Sequence, residues 1–189
     1  DQVKTRNTIL FRRNTESSID IFTSNLQRWT SVSRNNLFTN YALCSISGMS
    51  SSKYVPKISS TIEKTVYERI NSGSSNLHAL FERSDSDYHL IINGTAYNWL
   101  CAYDHIPPST DENGRPYMSG TTRIYHLPDK ESRDFCVAMI SNRIAYWFWS
   151  VIGDGFHFNS SFLVDFKVGK DTFTESQYSE LCRLGRKYS

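Results

Sequence analysis

Four cysteines stand in 189 residues, Cys44, Cys101, Cys136 and Cys182, and no two of them are close in sequence. The Cys-x-x-Cys spacing of a structural zinc site is missing, so the thiols are expected to be reduced and mostly buried. Five histidines are just as scattered. Long apolar runs are missing too: nothing approaches the roughly 20 residues of a membrane helix. The polar start Asp1-Gln-Val-Lys-Thr5 has no apolar signal region. No membrane partner is expected, and the expected compartment is the cytoplasm. The chain opens on Asp1 and not on methionine, which fits a piece of a larger protein. A surplus of one charge sign is nearly absent, with 21 basic against 19 acidic residues, and a net +2 does not by itself argue for an acidic partner. Catalytic signatures are scarce as well. There is no Gly-x-Ser-x-Gly elbow and no P-loop, and Pro128-Asp129-Lys130-Glu131 does not complete the carboxylate cluster of a metal-dependent nuclease.

What the chain does have is apolar and aromatic mass. With 39% hydrophobic and 14% aromatic residues it can bury a core as one domain, with or without a small second lobe. Its charge is unevenly placed. Residues 1–57 hold eight basic groups (Lys4, Arg6, Arg12, Arg13, Arg28, Arg34, Lys53, Lys57) against three acids (Asp1, Glu16, Asp20), so the positive surplus sits at the front. Such a surplus attracts phosphates through counterion release, although a charged run is most often a solvated face.

Periodicity supplies a scaffold. Thr8–Phe11 and Tyr41–Ile46 read as strands, while Ile19 to Trp29 fits neither period. Ser60-x-x-Glu63 is a capping box, after which Ile62, Val66 and Ile70 share one helical face until Asn71-Ser72-Gly73. Tyr88–Ile92, Asn93-Gly94 and Thr95–Cys101 read as a hairpin with a two-residue turn. In that strand Tyr97 and Trp99 alternate with Ala96 and Asn98, and for Trp99 a place in the core is expected ahead of the alternative, a base-contacting platform. The loop Asp104 to Tyr117, with Pro107-Pro108 and Asn113-Gly114, is irregular and can present Arg115 and Tyr117 outward, with Arg123 just beyond it. Thr122–Leu127 is a further strand. Apolar residues at Phe135, Met139, Ile140, Ile144, Trp147, Phe148 and Val151 predict one continuous core helix. It runs into Gly153-Asp154-Gly155-Phe156-His157-Phe158 and a strand over Phe162–Val168. Thr174-x-x-Gln177 caps a last helix, with Tyr178, Leu181 and Cys182 on one face and Gly185 at its end.

Order along the chain adds specificity that no single motif has. The helix entrance Val55 to Lys64, the aromatic strand Asn93 to Leu100, and the apolar helix with Ser141-Asn142-Arg143 followed by Gly-Asp-Gly-Phe-His and a further strand resemble, in that order, the target-recognition domain of adenine-specific DNA methyltransferases. These are type II restriction-modification enzymes with a TaqI-like specificity domain, and the resemblance covers roughly Tyr54 to Val168. It implies an α+β fold with a mixed sheet and hairpins packed on a few helices. Residues 53–189 would form the recognition core. Residues 1–52 would be a basic portion linking to, or packing on, a methyltransferase domain that precedes it in the parent chain. Double-stranded DNA would be the partner, with S-adenosylmethionine bound by the parent enzyme and no cofactor in this chain. The parent would methylate adenine, alone or fused to a restriction endonuclease. The chain itself lacks the Asn/Asp-Pro-Pro-Tyr/Phe motif of that chemistry, since its adjacent prolines lie in Ile106-Pro107-Pro108-Ser109. Asp154 and His157 could form a hydrolytic pair, but no nucleophile stands beside them in sequence.

Readout of duplex sequence needs forked donors and amides at base edges, with lysine, serine and backbone amides on phosphates. The candidates at loop positions are Lys53, Tyr54 and Lys57 before the first clear helix, Arg115 and Arg123 around the long loop, and His157, Asn159, Ser160 and Ser161 after Gly-Asp-Gly. Lys57 is the strongest candidate for phosphate, because the helix N-terminus that follows also favours anions. A second class of function is open to the same aromatic richness: a protein-interaction or viral structural domain using its aromatic segments at an interface.

Overall fold

The computed structural model describes residues 20–28, 30–36, 38–39, 42–49, 53–82 and 84–188. The strand expected at Thr8–Phe11 lies outside them. The fold is α+β, and the expected mixed sheet takes the form of two small antiparallel ones. Strands β1 (Phe22–Thr23) and β2 (Cys44–Ser45) pair with each other. The larger sheet has the order β4-β3-β5, with β3 at Tyr88–Ile92, β4 at Ala102–Tyr103 and β5 at Arg123–Leu127. The first helix, α1, spans Thr61–Asn71, and α2 (Lys130–Ile140), α3 (Arg143–Ile152), α4 (Ser161–Asp165) and α5 (Glu175–Tyr188) follow the larger sheet.

Helix α2 is the centre of the packing, with β3, β4 and β5 against it on one side and α5 on another. Asp129 caps it through a 2.7 Å bond from the Ser132 amide, and every residue from Asp134 to Ile140 is buried. Burying Asp134 completely would be costly alone. Its carboxylate is tied to Arg133 at 2.8 Å and, across the interface, to Arg186 of α5 at 3.0 Å. The core around α2 is aromatic: Phe135, Phe148, Trp149, Phe158, Phe162 and Phe166 are all fully buried. The described front of the chain joins it through Cys44 and Ile46. No disulfide links the four thiols, three of which are buried, and desolvation pushes the Cys136 thiol well up.

Several elements differ from what periodicity predicts, each for a local reason. The continuous helix over Phe135 to Val151 is broken at Ser141-Asn142, and its two halves bend by 66°. Asn142 causes the break: its carbonyl oxygen accepts from the Ala145 amide at 2.9 Å, while Nδ2 donates to Ala138 O and Met139 O at 3.0 and 2.8 Å. The side chain thus ends one helix and starts the next. Ile144 is consequently on the outside, 52% exposed. Among the described residues no single helix is long and apolar enough to cross a membrane; α2 and α3 reach that length only as a bent pair.

The hairpin partner of β3 is β4, in the register Ile91↔Tyr103 and Ile92↔Ala102, so 93–101 is a loop and not a strand. Asn93-Gly94 therefore makes no two-residue turn. Gly94 serves close approach, since a Cβ there would lie 2.3 Å from the Thr121 carbonyl oxygen. Trp99 lies outside the core, 68% exposed, while Ala96 and Leu100 on either side of it are buried. The strand expected at Phe162–Val168 is instead α4 and a following turn. Asn159 Oδ1 accepts from the Ser161 amide at 3.0 Å to open the helix, and Phe162 stacks on Phe166 one turn later at 5.2 Å. On α1 the buried face is Tyr67 and Ile70, whereas Ile62 is 76% exposed.

The capping box of α5 forms, with Thr174 N donating to Gln177 Oε1 at 2.9 Å and Gln177 N to Thr174 Oγ1 at 3.3 Å. Gly185 does not end α5, which continues to Tyr188. It lets α5 touch α2, because a Cβ at this position would lie 1.8 Å from Asp134 O. Since the obstacle is backbone, Gly185→Ala is expected to cost about 1–3 kcal/mol by forcing α5 away from α2. Gly120→Ala, whose added methyl meets open space, should stay within about 0.5 kcal/mol. Urea unfolding of both variants beside the parent chain checks this, and equal midpoints would refute the close-packing role.

Candidate functional site

Helix α3 delivers the chain into a turn that side chains hold from both ends. The last carbonyls of a helix lack intrahelical partners and carry the negative end of its dipole. Lys57 supplies the missing donor: its Nζ reaches Val151 O at 2.8 Å and Gly153 O at 2.7 Å, and its own amide donates to Val151 O at 3.0 Å. The ammonium is partly desolvated there, and burial pulls its pKa down to about 8 against the opposing attraction of Asp154. Asp154 then folds the turn. Its Oδ1 accepts from the amides of Phe156 and His157 at 2.8 and 2.7 Å, and its Oδ2 accepts from His157 Nδ1 at 2.7 Å. The backbone reverses at Gly155, where φ is +74°, a region costly for residues with a Cβ. An ionised carboxylate only accepts, so it fixes the proton on Nδ1 and leaves Nε2 of the exposed imidazole available to a ligand.

Segments distant in sequence meet at this turn. Ala96 N donates to Phe156 O at 2.8 Å and Phe158 N to Gly94 O at 2.9 Å, which sets Thr95 opposite His157 in an antiparallel bridge. Trp149 Nε1 donates to His157 O at 3.0 Å. Arg28, from the front of the chain, donates to Gly155 O at 3.3 Å and lies over the Tyr97 ring at 4.5 Å. The entrance to α1 closes the arrangement. Ser60 Oγ accepts from the Glu63 amide at 3.2 Å, and Glu63 Oε2 accepts from Ser59 N and Oγ at 2.7 and 2.8 Å. Glu63 Oε1 takes the Trp147 indole N–H at 3.2 Å. Burial alone would raise the Glu63 pKa, but the hydrogen bonds from Ser59, Trp147 and Ser60 outweigh it and hold the carboxyl below its usual range.

The candidate side chains fall into groups. His157, Asn159 and Ser160 form one exposed run after the turn, followed by the half-buried Ser161 at the start of α4. Lys57 is brought to the same turn, but its ammonium is turned onto helix carbonyls and not toward a phosphate at the mouth of α1. Lys53 is exposed and pairs with Asp165 at 3.3 Å. Tyr54 is half-buried against the core. Arg123 is exposed on β5 opposite Ile92, at the end of the sheet from which the 93–101 loop departs. Arg115 is exposed on the long loop, where its amide is held by Asp111 Oδ1 at 2.9 Å. Arg28 and Trp99 are additions to the candidate set. Arg28 sits in the stretch that neither period explains, and nothing local marks it. For Trp99 the alternation of the 95–101 segment is misleading, because the segment is a loop.

The Asp154–His157 pair is real in space, yet among the described residues no hydroxyl or thiol hydrogen-bonds to His157. Among the same residues no group of three or more His, Cys, Asp or Glu side chains is arranged to hold a metal ion. No protein-family model, curated protein or solved structure matches the chain.

The lowered pKa of Lys57 has a definite sign. Between about pH 8 and 10.5 the unfolded chain keeps a proton that the folded one has released, so this group makes stability rise with pH across that window. Below it the desolvation cost is present in full. Lys57→Met removes the titration, and the parent-minus-variant difference in unfolding free energy is expected to grow by on the order of 1–3 kcal/mol from pH 8 to 10.5. Urea melts at several pH values measure it, and a flat difference would mean the ammonium is solvated.

Proposed function

We propose that this chain recognises double-stranded DNA by sequence, as the target-recognition module of an adenine-specific DNA methyltransferase of a restriction-modification system. One observation carries the reading. The three blocks whose order resembles that family (Val55 to Lys64, Asn93 to Leu100, and Phe135 to Val168) are far apart in sequence, yet they are joined by direct hydrogen bonds around one turn. A single recognition surface would need these blocks side by side.

The chemistry at that turn suits a duplex. His157, Asn159 and Ser160, with Thr95 and Asn98 on the facing loop, put hydroxyl, amide and imidazole groups at the surface on a backbone held by Asp154. Amide and hydroxyl side chains pair with base edges, and cations such as Lys53 and Arg123 add attraction to phosphates. Methyl transfer, with its S-adenosylmethionine, belongs on this reading to a catalytic domain of the same parent protein, in the cytoplasm. The role of this chain is then binding energy and choice of site, and the catalytic partner opens the duplex at the adenine. The alternative of an aromatic protein-interaction surface draws less support: Trp149 is buried, and Trp147 is half-buried and bonded to Glu63.

Selection from a randomised duplex library at low and near-physiological salt, followed by sequencing of the bound pool, tests the proposal. One short enriched sequence that persists at ~0.15 M salt is the expected result. His157→Ala and Asn159→Ala should each weaken binding to it by about 1–3 kcal/mol and relax the preference at one position. Absence of binding even at low salt would overturn the reading.

A further inference from the structure

Three tryptophans lie among the described residues, and two of them follow the usual rule that an indole N–H finds an acceptor. Trp147 donates to Glu63 and Trp149 to the His157 carbonyl. Trp99 departs from it. Its side chain is 68% exposed, and among the described residues it has neither a hydrogen-bond acceptor for its N–H nor a ring partner for its face. A single exposed apolar side chain is common on a protein surface, so the weight falls on what holds Trp99 in place and on what its loop displays beside it.

The position is fixed. Ala96 and Leu100, on either side of the tip, are 2% and 3% exposed and belong to the core. Ala96 N is bonded to Phe156 O, Tyr97 O accepts from Tyr146 Oη at 3.4 Å, and the β3–β4 pair at Ile92 and Ala102 closes the base of the loop. The loop therefore presents Asn98 and Trp99 from two buried anchors. The surroundings choose the ligand. An apolar protein surface would call for apolar neighbours, but the exposed residues preceding Trp99 in the loop are Thr95 and Asn98. Across the bridge lies the exposed His157, and the Arg28 guanidinium covers the ring of Tyr97. A fixed, exposed indole on a loop that also displays amide and hydroxyl groups, and that bridges to a segment carrying an imidazole, matches a nucleotide, whose base stacks while its sugar and phosphate take hydrogen bonds.

We infer that Trp99 is a base-stacking wedge, inserting at a step of the bound duplex and stacking on a base there. The inference rests on the DNA-recognition reading and adds to it a residue and a mode of contact. Stacking energy is nearly independent of base identity, so Trp99 contributes affinity and duplex deformation, while sequence choice stays with the polar side chains around it.

The test uses the duplex recovered from the library selection, with 2-aminopurine placed at each position in turn, and compares the parent chain with Trp99→Ala and Trp99→Phe. The parent is expected to change the emission of the probe at one step only. Trp99→Ala should abolish that change and weaken binding by roughly 5- to 100-fold, with the dependence of affinity on salt unaltered, because an indole neutralises no phosphate. Trp99→Phe should restore most of both. An unchanged thermal midpoint shows that Trp99→Ala still folds, as its exposure predicts. Parent-like affinity and emission in Trp99→Ala would overturn the wedge while leaving DNA recognition intact. A parent chain that binds no duplex would sink the recognition reading, and the wedge with it.

Discussion

The bend at Ser141-Asn142 is the constraint from which the rest of the architecture follows. The apolar runs Phe135–Ile140 and Ile144–Trp149 on its two sides could have made one long helix, but such a rod would have only one neighbourhood. By satisfying carbonyls of α2 and an amide of α3 at once, Asn142 lets α2 lie buried between sheet and α5 while α3 crosses at 66° to a different part of the core. Ser141 ties the corner to the sheet, accepting from the Ala102 amide at 2.9 Å. The C-terminus of α3 is thereby aimed at the segment that precedes α1. Without that aim Lys57 would have no carbonyls to cap, and the Gly-Asp-Gly turn would not meet the 93–101 loop.

Two kinds of cation use coexist in this molecule. Lys57 and Arg186 reach inward, completing a helix end and the buried Asp134 carboxylate through short hydrogen bonds, at a desolvation cost to Lys57 and with the rest of Arg186 exposed. Lys53, Arg115 and Arg123 remain on the surface, where their charges are screened by salt and cost little to keep. Counting basic residues along the chain merges the two kinds. The surplus in residues 1–57 is a case in point, since one of its eight members, Lys57, serves a helix C-terminus.

Local chemistry was legible in the sequence and long-range choice was not. Ser60 with Glu63 and Thr174 with Gln177 form the caps that their spacing announces, because each depends on residues within a few positions, and β5 forms within the stretch Thr122–Leu127. Even there a detail shifts, as Glu63 reaches back beyond Ser60 to the amide and hydroxyl of Ser59. The failures share a cause. Phe162 to Val168 is apolar enough for either period, and only the Asn159 bond to the Ser161 amide together with the Phe162–Phe166 spacing favours helix. Gly185 looks like a helix end until α2 is known to lie against it. Of the candidate site, the run His157 to Ser161 could be read from its loop chemistry. The inward turn of Lys57 and the outward turn of Trp99 depend on partners about a hundred residues away or on a strand that ends early, and no local pattern encodes either.

The loop that carries Thr95, Asn98 and Trp99 is secured by main-chain hydrogen bonds and by two small or medium apolar side chains, Ala96 and Leu100, while its display positions touch little of the interior. The facing run Asn159-Ser160 is likewise exposed between the buried Phe158 and Phe162. Anchoring and display are thus divided between alternate sets of residues in the same short stretches. Substitution at the displayed positions therefore leaves the buried contacts untouched, whereas substitution at Ala96, Leu100, Phe158 or Phe162 disturbs the core on which the surface rests.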